Sequence, residues 1–186
     1  MKLILAQGNP EKRYDATRHN VGFTVIDAYA AANDATWSDK SKFHAQIGEV
    51  TVNGEKVILA KPTTYYNETG VSARAIVDFY NLDPATDVLV VHDELALPFG
   101  TIRIRGQGSD AGNNGIKSLN SHIGPDYHRI RIGVANDLRE RMDDADFVLG
   151  NFSKDESERV TKLIPDVLSL ITDFISGNLS HDTKTL

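Results

Sequence analysis

Hydrophobic residues recur along the chain with two spacings, one typical of helices and one typical of strands. Spacings of three and four residues predict helices with an apolar face turned toward a core. These helices span residues 21–32, 69–80, 113–123 and 154–175. Alternating or short continuous apolar runs predict strands. The strands span residues 3–6, 45–52, 55–60, 87–92, 101–105 and 127–134.

Two local signals indicate how the strands are arranged. Asn53-Gly54 separates the second and third strands, and this dipeptide favours the tight turn of an antiparallel hairpin. The unbroken apolar run at 88–91 is typical of a central strand covered on both faces. In 101–105 apolar and basic residues alternate, which predicts a strand with one face exposed to solvent. With helices between the strands, the pattern predicts an α/β fold, a mixed, twisted sheet flanked by helices on both faces.

The domain organisation is simple. A length of 186 residues suits one well-buried core and is short for two. No repeat or linker divides the chain, so we expect a single domain over residues 1–186. The segment after Ser176 is polar enough to fray.

The composition is typical of a folded cytoplasmic protein. Hydrophobic residues make up 40% of the chain and charged residues 25%, which argues against disorder. No apolar run is long enough for a membrane span, and polar Gln7 follows the first strand too early for a signal peptide. Because there is no cysteine, disulfides, zinc–thiolate sites and a cysteine nucleophile are excluded.

The charge is unevenly distributed. A net charge of −6 argues against non-specific affinity for nucleic acid. Between residues 101 and 133, however, the only acids are Asp110 and Asp126. The basic residues of this segment are Arg103, Arg105, Lys117, Arg129 and Arg131. We therefore expect a local basic face on an acidic protein.

Polar residues are stationed after several predicted strands, where open α/β sheets bind their ligands. They are Asn9, Asn67, Asp93 and the glycine-rich segment 106–115. Taken singly, each has an ordinary explanation as a turn, a helix cap, a strand end or a loop. His19, just before a helix, could likewise be a capping or surface histidine.

The combination of motifs is more specific than its members. The motifs are Asn9-Pro10, Thr17-Arg18-His19-Asn20-Val21-Gly22-Phe23, Lys61-Pro62 with Asn67 and Gly70, His92-Asp93 with Leu97-Pro98-Phe99-Gly100, Asn114-Gly115-Ile116-Lys117-Ser118, Arg129-Ile130-Arg131-Ile132-Gly133 and Val148-Leu149-Gly150-Asn151-Phe152. In this order and spacing, the chain resembles the peptidyl-tRNA hydrolase family over nearly its whole length.

The resemblance implies a monomeric α/β hydrolase that cleaves the ester between a peptide and the terminal ribose of tRNA, and so recycles tRNA from stalled or prematurely released products. It implies no metal, no cofactor and no obligate protein partner. The implied catalytic residues are His19 as general base, Asp93 as the carboxylate that orients it, and Asn9. The implied substrate-binding residues are Asn67, Asn114, Tyr66 and Tyr14. The implied tRNA-binding residues are Lys117, Arg131, Arg103 and Arg105.

The chain departs from the family pattern at several positions. Glu11 stands where glycine is common, Tyr65-Tyr66 where Phe-Met usually precedes the substrate-binding asparagine, and Asn113 where histidine is usual. After Gly133 the usual basic loop is missing. Arg139 or Arg141 is the expected replacement.

Two other functions fit parts of the sequence. Gly106, Gly108 and Ala111 match the G-x-G-x-x-A pattern of dinucleotide-binding proteins, although the preceding strand alternates instead of being wholly apolar. The basic face alone is also compatible with a non-catalytic RNA-binding module, which leaves His19 and Asp93 without a role. A serine hydrolase is disfavoured because the chain has no G-x-S-x-G motif.

Overall fold

The computed structural model describes residues 1–185 and places eight strands in one sheet. The strands are β1 (Lys2–Ala6), β2 (Ser38–Lys40), β3 (Ala45–Val52), β4 (Glu55–Pro62), β5 (Val88–Pro98), β6 (Thr101–Arg105), β7 (His128–Ala135) and β8 (Thr183–Thr185). The α-helices are α1 (Val21–Ala32), α2 (Thr69–Tyr80), α3 (Pro84–Asp87), α4 (Asn114–Ile123), α5 (Asp144–Leu149) and α6 (Lys154–Ile175). Single 3-10 turns at Arg18–Asn20 and Tyr66–Glu68 lead directly into α1 and α2.

The sheet has a parallel centre and antiparallel edges. Its strand order is β2-β3-β4-β1-β5-β7-β6-β8. The four central strands β4, β1, β5 and β7 run parallel, and the outer pairings are antiparallel. The predicted α/β class with a mixed sheet is confirmed.

Apolar cores lie on both faces of the sheet. Ile4 and Leu89 belong to the core that contains the inner faces of α1 and α6. Leu3, Leu5 and Val88 belong to the core of α2 and α4. Adjacent residues of one strand therefore pack into the cores on opposite faces of the sheet. The prediction of a central strand at 88–91, covered on both faces, is confirmed. Each such buried side chain contributes about 1.5–3 kcal/mol relative to an exposed one.

The hairpin between β3 and β4 is confirmed together with its turn. Val52 pairs with Glu55, so Asn53 and Gly54 form a two-residue loop. Both adopt positive φ angles, 51° and 82°. Asparagine and glycine tolerate this left-handed backbone best, which explains the sequence signal.

Other element boundaries differ from the sequence prediction. Asn113 is not the first residue of α4 but its cap, since its side-chain oxygen accepts from the backbone N–H of Ile116 at 3.0 Å. β5 does not end at His92 but continues to Pro98, with irregular pairing to β7 after Glu94. The short elements β2, α5 and β8 were not predicted, because they are brief and largely polar or exposed. β8 lies in the segment expected to fray and pairs with β6.

The dinucleotide-binding alternative requires a parallel strand–helix–strand crossover after the glycine-rich loop. β6 and β7, which flank α4, are antiparallel neighbours. The loop therefore lacks that setting. Across residues 1–185, no helix combines the length and the apolar character needed to cross a bilayer.

Candidate active site

A cavity of about 490 Å³ opens at the carboxyl ends of the four parallel strands. Each of these strands, or the loop that follows it, contributes to its wall. The lining residues are Asn9, His19, Tyr65, Tyr66, Asn67, Asp93, Glu94, Leu95, Ala96, Ala111, Gly112, Asn113, Asn114, Arg139, Asp144, Ala145, Val148 and Leu149. This is the edge at which α/β sheets generally bind ligands.

A histidine and a carboxylate are paired in this cavity. His19 comes from the 3-10 turn before α1, and Asp93 comes from β5. The His19 Nδ1 and Asp93 Oδ2 atoms are 2.9 Å apart. The Asp93 side chain is 2% exposed and that of His19 15%, so water reaches the imidazole far more easily than the carboxylate. A buried carboxylate that accepts from Nδ1 fixes the ring orientation and its tautomer.

Tyr66 contacts both members of this pair. Its hydroxyl donates to Asp93 Oδ1 at 2.6 Å, and its ring lies flat on the His19 imidazole, with centroids 3.5 Å apart and an interplanar angle of 11°. The Asn113 amide donates to the same hydroxyl oxygen at 3.0 Å. Burial, together with the charge of Asp93, raises the pKa of Tyr66 well above its usual range. Tyr66 therefore remains a protonated donor at neutral pH.

The orientation of Asn9 is fixed by its neighbours. Its side-chain oxygen accepts from the backbone N–H of Tyr66 at 2.8 Å. Its backbone exchanges two hydrogen bonds with the buried Asn20 amide, each 2.9 Å long. Because the Asn9 oxygen is engaged by an N–H donor, its amide nitrogen is the group available to donate elsewhere.

The remaining substrate-binding candidates lie at different distances from the dyad. Asn67 and Asn114 both line the cavity and are exposed. Tyr14 does not belong to the lining; it lies in a 3-10 turn, where the Arg13 guanidinium sits 4.7 Å from its ring centroid. The structure thus brings together Asn9, Asn67 and Asn114 with the dyad but leaves Tyr14 outside.

The turn that carries His19 is anchored to the start of α6. The backbone N–H of Arg18 donates to the Gly150 carbonyl at 3.1 Å, and its buried guanidinium pairs with Glu156 at 3.0 Å. Glu156 also accepts from the backbone N–H of Ser153 in a capping box at the N-terminus of α6. Burial opposes ionisation of Glu156, but the Ser153 N–H and the charge of Arg18 outweigh it and lower the pKa of Glu156.

Arg139 closes the outer wall of the cavity. It pairs with Asp144 at 2.8 Å and also donates to the Leu95 carbonyl. Hydrogen bonding to Asp144 raises the pKa of Arg139. Arg141, the other expected replacement for the missing basic loop, is exposed and does not line the cavity.

The profile of the peptidyl-tRNA hydrolase family matches residues 3–186. The chain belongs to this family. A peptidyl-tRNA hydrolase from Synechocystis sp. is 45% identical over 97% of this chain and 90% of that protein. Another, from Listeria welshimeri, is 43% identical over 94% of this chain and 93% of its own length.

Solved structures of the family share the fold described above. A peptidyl-tRNA hydrolase from Acinetobacter baumannii superimposes with a TM-score of 0.87 at 33% identity, over 95% of this chain and 89% of that one. A purine nucleoside phosphorylase from Toxoplasma gondii has a TM-score of 0.57 at 6% identity over 95% of this chain and 92% of its own. The second likeness concerns the fold alone.

In this peptidyl-tRNA hydrolase fold, the predicted basic residues lie on one face of two adjacent strands. Arg103 stands opposite Arg131 and Arg105 opposite Arg129 in the β6–β7 register, while their apolar neighbours enter the core of α1 and α6. Exposed Lys117 projects from the first turn of α4. We call Arg103, Arg105 and Lys117 the basic strip.

Arg103 and Arg105 donate a hydrogen bond to the Thr183 hydroxyl and the Ile104 carbonyl, respectively, whereas Arg129 and Arg131 are held more firmly. Arg131 pairs with buried Glu94 at 2.8 Å. Arg129 is 4% exposed and donates to the Gly108 and Ser109 carbonyls, which ties down the glycine-rich loop. Burial lowers the pKa of Arg129. A change at Arg131 would leave Glu94 without its counter-charge, so Arg131 gives a poor test of tRNA binding.

Some residues of the site were not identified from the sequence. Asn20 stands in the quoted motif beside His19, but nothing in its pattern indicated that it would hold Asn9. The role of Asn113 was also missed, because a polar residue before a helix is normally explained by capping alone. Only the three-dimensional structure connects Asn113 to Tyr66.

Proposed function

We propose that this protein hydrolyses the ester bond of peptidyl-tRNA, with His19 as the general base and Asp93 as its orienting carboxylate. The observation that carries the proposal is the His19–Asp93 hydrogen bond at the cavity, in a chain that belongs to the peptidyl-tRNA hydrolase family. The ester links the peptide to the terminal ribose of tRNA.

The chemistry follows from the tautomer that Asp93 selects. An ionised carboxylate only accepts hydrogen bonds, so the proton of a neutral His19 resides on Nδ1 and the lone pair on Nε2. Nε2 takes a proton as water attacks the ester carbonyl carbon. The tetrahedral intermediate then expels the ribose oxygen, which recovers the proton from the imidazolium. An ester has a better leaving group than an amide, so a base-activated water suffices without a covalent intermediate.

Asn9 supports the same step. Its oxygen is taken by the Tyr66 N–H, so its NH₂ group is left to donate to the carbonyl oxygen of the substrate. That oxygen gains negative charge in the transition state. A donor already fixed in place stabilises this charge without reorganising during the reaction.

Neutral amides also suit a peptidyl rather than an aminoacyl substrate. Asn67 and Asn114 offer donors and acceptors that match a peptide backbone. A free aminoacyl group carries an ammonium ion, which would lose its hydration without gaining a carboxylate partner at these amides. Selectivity would then come from the poor fit of the wrong substrate.

The basic strip provides a surface for the tRNA body. Arg103, Arg105 and Lys117 lie on the face of the sheet that also carries α4, whose first residue lines the cavity. Phosphates bound there would approach the catalytic dyad from one side. A non-catalytic RNA-binding module would use this surface as well, but it gives no role to a histidine–aspartate pair inside a cavity.

Hydrolysis of two matched substrates tests the function. Purified protein is incubated, with chelator present, with an N-blocked aminoacyl-tRNA and with the same aminoacyl-tRNA unblocked. We expect release from the blocked substrate alone. No release from either substrate would contradict the proposed function.

Substitution of the dyad tests the mechanism separately. His19→Ala should lower the rate by about 10²- to 10⁴-fold while tRNA binding is retained, because a positioned general base contributes about that much. Asp93→Asn should also be slow, since an amide can hold the wrong tautomer. His181→Ala, an exposed histidine outside the cavity, is the control and should remain active. A folded His19→Ala protein that hydrolyses the substrate at the wild-type rate would contradict the mechanism. It would leave the proposed function itself intact.

A further inference from the structure

Two residues of the cavity lining, Tyr66 and Asn113, are in direct contact. The Asn113 amide donates to the Tyr66 hydroxyl at 3.0 Å. Neither residue is free to act on the substrate alone, since Tyr66 is 2% exposed and Asn113 also caps α4. Their contacts point inward, toward Asp93 and His19.

We propose that Tyr66 is a positioning residue of the catalytic dyad, and that Asn113 fixes Tyr66 and so connects the glycine-rich loop to the general base. This inference rests on the proposed function, because it assigns a role relative to His19 as the base. It replaces the expectation that Tyr66 simply binds substrate.

The first argument is geometric. The two oxygens of Asp93 have different partners, His19 on Oδ2 and Tyr66 on Oδ1. A carboxylate held at both oxygens cannot turn about its bond to Cβ, so Oδ2 stays directed at the imidazole. The Tyr66 ring also lies against the flat face of that imidazole at 3.5 Å and restricts its tilt. One side chain thus orients both members of the dyad.

The second argument concerns the direction of the hydrogen bonds. An ionised Asp93 can only accept, so Tyr66 donates to it, and the Tyr66 oxygen is then free to accept from Asn113. Accepting that bond makes the tyrosine a stronger donor, since hydrogen bonds in a chain polarise one another. The chain runs from the end of the glycine-rich loop to His19.

The hydroxyl should also adjust the pH dependence of the reaction. A strong donor on Asp93 reduces the negative charge that the carboxylate presents to the imidazolium. Its removal should therefore favour protonated His19 and move the rise of the pH–rate profile to higher pH. The other titratable and charged groups described around the dyad are His92, Tyr65 bonded to Glu11, Glu94 paired with Arg131, Arg139 paired with Asp144, and Arg18 paired with Glu156. These groups stay in place when only a hydroxyl is removed.

Tyr66→Phe is the direct test, because it keeps the ring and deletes the hydroxyl. With N-blocked aminoacyl-tRNA we expect kcat to fall about tenfold, which is the effect of losing one hydrogen bond to a charged group. KM should stay within about twofold of the wild-type value. The pH at half-maximal kcat should rise. A loss confined to KM, or an unchanged kcat and pH profile, would overturn the proposal.

Tyr127→Phe is the matched control for a buried tyrosine. Its hydroxyl donates to Asn120 at 2.8 Å, and Tyr127 does not line the cavity. We expect some loss of thermal stability but an unchanged kcat and an unchanged pH profile. A matching shift in both variants would assign the effect to general destabilisation and overturn the specific role of Tyr66.

Asn113→Ser tests the connection to the loop. Serine keeps a capping oxygen for α4 but is too short to reach Tyr66. We expect kcat to fall two- to threefold, with the pH profile moved as in Tyr66→Phe, and no further loss when both changes are combined. Additive losses would overturn the coupling. Should Tyr66→Phe not fold, Asn113→Ser alone decides, since an unchanged pH profile would contradict the proposal.

A wild-type protein that cleaves neither substrate would instead contradict the proposed function. This outcome is distinct from an active wild type whose rate is insensitive to Tyr66→Phe.

Discussion

Asn67 and Asn114 differ from Asn9 in their freedom to meet a substrate. Asn9 is 7% exposed and held by Asn20 and Tyr66, whereas Asn67 and Asn114 are exposed at the cavity wall. Fixed amides suit the reacting carbonyl, which must be placed to within a fraction of an ångström. Exposed amides suit a peptide whose side chains vary.

We expect Asn67→Ala and Asn114→Ala to act mainly on peptide placement. Each change removes neutral hydrogen bonds worth about 0.5–1.5 kcal/mol, which corresponds to roughly a two- to tenfold loss in kcat/KM. The rate on blocked aminoacyl-tRNA divided by the rate on free aminoacyl-tRNA should fall, because the backbone of the blocked substrate loses its hydrogen-bond partners. Parallel assays on both substrates measure this ratio. Unchanged activity and selectivity in both variants would contradict a role in substrate binding. The two asparagines would then be explained as ordinary loop or helix-capping residues.

The structure places most of the catalytic and substrate-binding residues implied by the family resemblance at the cavity, whereas most contacts between residues far apart in the sequence were not foreseen. His19 and Asp93 are 74 positions apart in the chain. From the sequence, only the family resemblance indicated that the two side chains would be paired. Tyr66 was assigned to substrate, because the sequence does not show that its hydroxyl meets Asp93. Its contacts are set by how α1, α2 and β5 converge.

The helices α1, α2 and α6 were predicted with their observed bounds, because a polar residue flanks each of them at both ends. β5 was predicted to end at His92, since polar residues usually terminate an apolar strand. It continues because Glu94 remains buried through its pair with Arg131. The cavity wall at Asp144–Leu149 was not predicted, as a six-residue helix gives too few positions for a periodic signal.

The junction between α6 and the His19 turn should be sensitive to acid. Glu156 has a pKa below its ordinary value of 4.5, so its contribution to stability is present above pH 4.5 and is lost as the pH falls through its lowered folded value. Glu156→Gln should destabilise the protein by about 2 kcal/mol at pH 7, because buried Arg18 loses its counter-charge. Denaturant unfolding at pH 7 and below pH 4 measures the difference.

We expect the gap between wild type and Glu156→Gln to narrow at the lower pH. Glu158→Gln, an exposed glutamate of the same helix, serves as control and should match the wild type at both pH values. A gap that is constant with pH would mean that the charge of Glu156 contributes nothing to folding.

Across the molecule, the basic strip proposed to bind tRNA lies outside the cavity lining, so docking and chemistry can be tested separately. Lys117→Ala and Arg103→Ala should weaken tRNA binding and reduce the slope of log K against log salt by about one for each lost phosphate contact. Lys56→Ala, paired with Glu49 on the distant β3–β4 hairpin, should leave the slope unchanged. Binding titrations over a range of salt concentrations supply the slopes.

An N-blocked aminoacyl ester of adenosine, which lacks the tRNA body, completes this comparison. Neither basic-strip variant should slow its hydrolysis. Equal losses on the small and the full substrate would place the substituted residue at the reacting centre rather than at the tRNA backbone.

The strand order also governs what an unfinished copy of this protein can do during its own synthesis. β1 lies between β4 and β5, both made later, and the cavity draws on residues from Asn9 to Leu149. Parallel neighbours joined through helices pair late and slowly, so nascent fragments hold apolar strands without partners. A copy interrupted before α5 therefore lacks one wall of the cavity. The turn that carries His19 is also anchored by Glu156 of α6, so the site is complete only after α6 has been made.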